Sequence, residues 1–365
     1  MRNVECECEK PTIPRHAIRN PHSAIHIPHS VGPVLLVTSG DPCGVGPEVI
    51  LKALARPLRP AARMVVVGDL AVFEQTAKRL VLSLPRWRVT SSLPQPGVFE
   101  RGRRVCFLDL AHPWRVTPGR TSERAGVAAL DYLDAAVRLL QAGVGEGLVT
   151  APVTKWAIER ARGRFEGQTE YLACALRAPR VVMMFVSERL RVALLTRHLA
   201  LRDVPSRVTK PLIRQTIRLT VEALRRHFGI RQPRLAVCGL NPHAGEAGLF
   251  GDEERRVLLP VLRECRRRGI DLDGPFAADG FFAASRDYDA VICWYHDQGL
   301  IPFKLMSRDH GCQLSLGLPI VRTSPDHGSA LDIAGRGIAN PGSMRYALEL
   351  AATLIFRQRT SRHRQ

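Results

Sequence analysis

Residues 34–55 read VLLVTSGDPCGVGPEVILKALA, and MVVVG follows at 64–68. The opening VLLVTSG is an apolar run closed by Gly40, the pattern of a buried strand. From Pro47 to about Ala55 the apolar residues recur at helical spacing, and Pro47 suits a first helical turn. MVVVG is then a second buried strand. The same alternation continues outward. Apolar runs stand at 105–110 (VCFLDL), 147–153 (GLVTAPV), 181–186 (VVMMFV), 192–196 (VALLT), 235–240 (LAVCGL) and 290–295 (AVICWY). Helical stretches such as Glu123–Gln141 and Arg207–His227 lie between them. Strands alternating with helices predict an α/β fold with a largely parallel sheet.

At 365 residues and 45% hydrophobic content, the chain can bury a full core in one large domain or two lobes. A lobe boundary is expected between Pro152 and Gly167, with the segment from Pro325 to about Phe356 returning to the first lobe. Residues 1–32 are polar and rich in Pro and His without sustained period, and read as a flexible extension. Residues 33–356 form the folded body, and 357–365 read as a basic tail.

The formal net charge is +19, and only Lys10, Lys52, Lys78, Lys155, Lys210 and Lys304 of the 53 basic residues are lysine. No nucleic-acid motif accompanies the arginines, and aromatic residues are only 6% of the chain. A solvated basic surface that attracts anionic substrates is therefore expected, with no nucleic-acid partner. The nine cysteines include no CxxC pair, which argues against a cysteine zinc site and for a reducing compartment. No stretch approaches the ~20 apolar residues of a bilayer span. A cytoplasmic protein without a membrane partner is expected.

Three histidines occupy similar places. His198 follows VALLT, His243 follows LAVCGL, and His296 directly follows AVICWY. In open α/β sheets ligands gather beyond the carboxyl ends of strands. Three imidazoles there could converge on one divalent ion and leave positions open for substrate; ordinary loop histidines would give the same spacing. Asp203, Glu246, Asp279 and Asp297 flank them, and such carboxylates can orient imidazoles or move protons. For Asp203 a helix cap is an equal alternative.

A second group is cationic. Lys304 lies eight residues after His296, and Arg322 follows LGLPIV. Gln168 and Thr169 sit in a polar break, GQTE, where a helix start suits a phosphate. Taken singly, each of these reads as a surface residue. A third feature is DHGSALDIAGRGIANPGS, from Asp326 to Ser343, too rich in Gly, Asn and Pro for a helix or strand. Such a loop can wrap a nucleotide. GDPCGVGPE lacks the third glycine of a Rossmann fingerprint and reads as a tight strand-to-helix turn.

Several blocks, in order, resemble the PdxA family of 4-hydroxythreonine-4-phosphate dehydrogenases: TSGDPCGVGPEVILKAL, LVTAPVTKWAI, RHLALRD, GLNPHAGEAGLFGDEE, YHDQGLIPFK and LGLPIVRTSPDHGSALDIAGRG. The similarity runs from about Val34 to near the C-terminus. It implies a two-lobed α/β/α fold of the isocitrate/isopropylmalate dehydrogenase type, and a homodimer with the active site at the subunit interface. It implies one divalent metal (Zn, Co or Mg) on His198, His243 and His296. Substrate contacts are implied at Gln168, Thr169, Lys304, Gln313 and Arg322. It implies NAD or NADP in the glycine-rich loop, with His327, Gly328, Asp332 and Asn340 as candidate contacts. Asp279 matches an acidic residue near the substrate; with Asp297 and Lys304 it is a candidate for catalysis. The implied reaction oxidises 4-(phosphooxy)-L-threonine, a small phosphorylated hydroxy-amino acid, and the product decarboxylates to 3-amino-2-oxopropyl phosphate in pyridoxine 5′-phosphate synthesis. Two departures stand out. The family's GHTE is GQTE here, and a usual Asn is Gln313. They keep open a paralogue acting on another small hydroxy acid, such as a four-carbon sugar-acid phosphate or a carboxylated cyclic diol.

Overall fold

The structure, a computed structural model, describes residues 32–95, 97–99, 104–284 and 287–362. The expected extension at 1–32 lies outside the described residues except for Gly32. Twelve strands form one sheet. They are β1 (Val34–Thr38), β2 (Arg63–Gly68), β3 (Trp87–Thr90), β4 (Val105–Asp109), β5 (Gly147–Thr150), β6 (Val182–Ser187), β7 (Arg191–Leu194), β8 (Leu235–Cys238), β9 (Leu272–Phe276), β10 (Ala290–Cys293), β11 (Gly311–Leu316) and β12 (Val321–Pro325). Their order across the sheet is β3-β4-β2-β1-β5-β12-β11-β6-β7-β10-β8-β9.

Helices cover both faces, as the α/β/α expectation requires. On one face α1 (Gly46–Leu54), α2 (Leu70–Leu80), α7 (Lys210–Phe228), α8 (Leu259–Arg267) and α11 (Gly342–Arg362) share a core with Leu35, Met64, Met184, Val237 and Ile292. On the other, α3 (Glu123–Gln141) and α5 (Gln168–Ala175) pack on Leu36, Val65 and Leu148, while α9 (Ala278–Ala283) and α10 (His296–Ser307) pack on Val192, Ala236 and Cys293. Two more helices, α4 (Lys155–Arg162) and the short α6 (Val204–Arg207), follow β5 and β7. Double coverage explains why β1, β5, β8 and β10 read as unbroken apolar runs.

Local signals set the helix ends. The Ser122 hydroxyl accepts from Ala125 N–H to start α3, and Thr209 accepts from Leu212 N–H to start α7. Gly229, at φ 73°, stops α7 in the left-handed region. Residues 357–362, read above as part of a basic tail, instead continue α11. Arg359 binds Glu146 and Gln358 binds His227, so packing extends the helix past the apolar pattern.

The sheet departs from uniform parallel order at its centre. β11 is antiparallel to β12 and β6, and β6 is antiparallel to β7. The reversal leaves two parallel sets, β3-β4-β2-β1-β5-β12 and β7-β10-β8-β9. The segment after β11 returns through β12, beside β5, to α11, which packs on α1 and β1.

Candidate functional site

Because β7, β10 and β8 lie side by side and parallel, their carboxyl ends meet at one edge. His198, His296 and His243 follow those ends. Cross-links fix the edge. Thr196 Oγ1 donates to Trp294 O at 2.6 Å, and Trp294 Nε1 donates to Cys238 O at 2.8 Å. Gln298 accepts from Trp294 N–H and donates to Gly239 O, tying α10 to the end of β8. Gly299 lets α10 press on the sheet, since a Cβ there would lie 2.5 Å from Val192 Cγ1.

The ring centroids of His198 and His296 are 5.9 Å apart. Asp297 Oδ1 sits 2.7 Å from His296 Nδ1; with Nδ1–H donating to that carboxylate, the ring is fixed and Nε2 keeps its lone pair for a ligand. Burial, then the charges of Lys155 and His296, hold the His198 pKa below its usual value and favour the neutral, metal-binding form. Two neutral imidazoles are part of a donor set for a divalent ion. His243 stands beside Phe250 instead, at 6.0 Å between rings. Among the described residues of a single chain, no three His, Cys, Asp or Glu side chains are assembled closely enough to hold an ion.

Arg322 and Thr169 of the cationic group are buried rather than superficial. Arg322 is 3% exposed, Gln313 3% and Thr169 4%. Arg322 Nη2 donates to Thr150 Oγ1, and Nη1 donates to Gln313 Oε1, Ser315 Oγ and Thr169 Oγ1. Gln313 also accepts from Ser324 Oγ, so its amide holds the arginine. Arg322 Nε has no hydrogen-bond partner among the described residues. Burial draws the guanidinium down to about 10, which leaves it charged at neutral pH. Taken singly, Arg322 reads from the sequence as a surface residue, and the structure buries it. The sequence reading missed β11 and β12, whose polar Gln313, Ser315, Arg322 and Ser324 interrupt the apolar pattern.

Gln168 opens α5 as expected, and its amide donates to Ala151 O at 3.1 Å. Lys304 lies exposed on α10 and Asp279 exposed at the start of α9. Asp203 is the N-cap residue of α6, as that alternative expects, although its side chain makes no cap hydrogen bond. Lys155, which the sequence reading gave no role, starts α4 with Nζ 3.5 Å from His198 Nδ1. Arg197 binds Glu170 of α5 at 2.9 Å. The second contact joins the imidazole edge to α5, where Thr169 accepts from Arg322. The strand-end rule that selected the histidines would also have found Lys155, five residues beyond β5.

The loop 326–341 is pinned, not free. Ser329 O accepts from Val45 N–H, and its hydroxyl pairs with Thr154. Lys52 Nζ donates to Gly337 O and Ala339 O. His327 Nδ1 contacts Gly328 O, whereas its Nε2 is buried without a partner. Asn340 Oδ1 accepts from Gly342 N–H at the start of α11, and Asp332 is exposed. Asp41, in the β1–α1 turn that touches this loop, is buried with Oδ2 unpartnered. The unpartnered His327 Nε2 beside Gly328, where a Cβ would meet nothing, suits a polar ligand such as a nicotinamide nucleotide. A cavity of about 890 Å³ lies elsewhere, between α7 and the β11–β12 turn, and shares no residue with these groups.

A family model described as pyridoxal phosphate biosynthetic protein PdxA matches residues 60–351. The 4-hydroxythreonine-4-phosphate dehydrogenase of Desulforapulum autotrophicum is 42% identical over 325 residues, 88% of this chain and 95% of that one. The solved 4-hydroxythreonine-4-phosphate dehydrogenase of Klebsiella pneumoniae aligns with a TM-score of 0.76 at 34% identity, over 88% of this chain and 99% of that one. A terephthalate 1,2-cis-dihydrodiol dehydrogenase from Burkholderia xenovorans aligns with a TM-score of 0.59 at 31% identity, over 88% and 98%.

Proposed function

The chain belongs to the PdxA family, and on that premise we propose that it oxidises 4-(phosphooxy)-L-threonine with NAD or NADP at a site bearing a divalent metal. The observation that carries the reading is the Arg197–Glu170 ion pair, which ties the residue before His198 to α5, where Thr169 accepts from the buried Arg322. Lys155 stands beside the His198 imidazole, and Arg197 beside α5. An acid that carries a phosphate and a carboxylate has the charges for these cations.

In the proposed reaction the hydroxyl-bearing carbon gives hydride to the nicotinamide and the hydroxyl gives up its proton. The resulting 2-amino-3-oxo-4-(phosphooxy)butanoate loses carbon dioxide to give 3-amino-2-oxopropyl phosphate. A bound divalent ion would supply Lewis acidity at the hydroxyl oxygen and then at the ketone. Arg322, locked by Thr150, Gln313, Ser315 and Thr169, orients an anionic end without reorganising. Asp297 holds the His296 ring. Lys155 and Lys304 supply further positive charge, and Asp279 is a candidate proton acceptor. His327 and Asn340 belong to the proposed nucleotide loop, whose tethers to α1 hold it open for close backbone approach.

His243 joins the other two imidazoles when a second copy of the chain completes the site. Apolar side chains stand exposed beside each histidine: Leu199 and Leu201, Leu249 and Phe250, and Ile301 and Leu305. Such surfaces mark interaction sites. Gln168 supports a second reading. Its amide is already committed to Ala151 O, so a substrate other than the phosphorylated threonine fits a paralogue of the cyclic-diol kind. The test is reduced-nicotinamide formation from 4-(phosphooxy)-L-threonine before and after chelation and metal return. Turnover that vanishes and returns supports the proposal. Inactivity on it, with turnover of a carboxylated cyclic diol, replaces it with the second reading.

A further inference from the structure

The turn that carries His243 has an unusual backbone. Five consecutive residues, His243 to Ala247, have φ of 52°, 54°, 82°, 37° and 55°. Left-handed backbone is unfavourable for L-residues, so a run of five persists only when its surroundings hold it. Gly245 alone escapes the penalty.

The holding group is Glu254, 4% exposed, at the start of a π-type turn (Glu254–Leu258) that leads into α8. Its Oε1 accepts from Leu240 N–H and from Asn241 N–H, each at 2.8 Å. Its Oε2 accepts from Asn241 Nδ2 at 3.0 Å, and Asn241 Nδ2 also donates to Glu253 at 2.8 Å. The turn folds back onto the same carboxylate, since a Cβ on Gly245 would lie 2.7 Å from Oε2. No cation pairs with Glu254 among the described residues. Its burial is offset by the N–H groups of the segment that delivers His243. Leu258, Val261 and Leu262, all buried, fix its own position.

We propose that Glu254 is the positioning residue of His243: its carboxylate holds the left-handed turn and thereby sets where the third imidazole stands. The inference rests on the reading that His243 binds a divalent ion. A residue that only stabilised the fold would lower the melting temperature. A positioning residue also changes how the metal is held.

The experiment loads the full-length protein with cobalt(II) and measures affinity by chelator competition and the visible absorption bands. Wild type, Glu254→Ala, Glu254→Gln and His243→Ala are compared. Glu254→Ala is expected to weaken cobalt binding about tenfold or more and to alter the bands. Glu254→Gln is expected to recover most of the affinity, because its amide oxygen can accept from both backbone N–H groups. Wild-type affinity and bands in Glu254→Ala, at any melting temperature, overturn the proposal. If that variant does not fold, Glu254→Asp takes its place, and wild-type bands there overturn it equally. His243→Ala separates the two levels. If it binds cobalt as wild type does, the metal reading itself fails. If it loses cobalt while Glu254→Ala does not, only the positioning role fails.

Discussion

Arg322 has five donor hydrogens on a planar fork and four hydroxyl or amide partners already in place. Lysine can match neither the geometry nor the number of bonds. Arg322→Lys is expected to lower kcat/KM about 100-fold, with KM carrying much of the loss, because buried partners lose their donors. Wild-type kinetics in that variant would remove Arg322 from the substrate. Lys155 makes a weaker demand. Lys155→Ala should raise the substrate KM roughly tenfold and leave the melting temperature within a degree or two, since an exposed ammonium contributes little to stability. An unchanged KM would assign it to the surface. Gln168→His, which restores the family's imidazole, should improve kcat/KM for 4-(phosphooxy)-L-threonine about tenfold. No gain would mean that Gln168 does not meet this substrate. The histidines were legible because each follows an unbroken apolar strand. Arg322 stood out as one of a cationic group, whereas Gln313 was legible only through the family resemblance. Their strands carry polar residues that are buried and hydrogen-bonded to one another, and period-based reading takes such residues for surface.

Among the elements, the β4–α3 connection shows how a loop is held by charge. His112 Nδ1 contacts Asp69 Oδ1 at 2.9 Å, and Nε2 contacts Asp131 Oδ2 at 3.1 Å. Tyr132 donates to the other Asp69 oxygen. Burial opposes the charged ring, but the two carboxylates outweigh it and raise the His112 pKa above its usual value. A raised folded-state pKa stabilises fully below the ordinary value of about 6.5, and the stabilisation is lost as pH climbs through the raised value. His112→Gln should therefore lower the urea midpoint more at about pH 6 than at about pH 9. Equal losses at both would contradict the ionic role. The glycine-rich loop was legible as a loop from composition alone. Its tethers were not, because Lys52 and Glu48 lie nearly 290 residues away in sequence. Lys52 also pairs with Glu48 at 2.7 Å, so one part-buried pair fixes both α1 and the loop. His327→Ala should raise the KM for the nicotinamide nucleotide several-fold without changing the substrate KM. Equal effects on both would place the residue outside the cofactor site.

For the whole molecule, α/β alternation was readable from the first 35 residues of the body, while the central reversal was not. β11 and β12 form an antiparallel hairpin across residues 317–320, and a short apolar run joined to its turn reads as one segment. The reversal matters for function. It lets the chain place a buried arginine on the central strands while the histidine strands form a parallel set of their own. That set shows two imidazoles close together and a third set apart, with apolar side chains around all three. A second copy that completes the site would cover them. Leu249→Glu with Leu305→Glu should turn a dimer into a monomer in analytical ultracentrifugation, and the monomer should lose both cobalt affinity and turnover. Monomeric wild type, active at all concentrations, would contradict the shared site. The most direct single measurement is reduced-nicotinamide formation by the metal-loaded wild type supplied with 4-(phosphooxy)-L-threonine. The expected result is turnover that chelation abolishes and a divalent ion restores, with release of one carbon dioxide per nicotinamide reduced. No reduction of NAD or NADP by the metal-loaded protein at saturating substrate would contradict it.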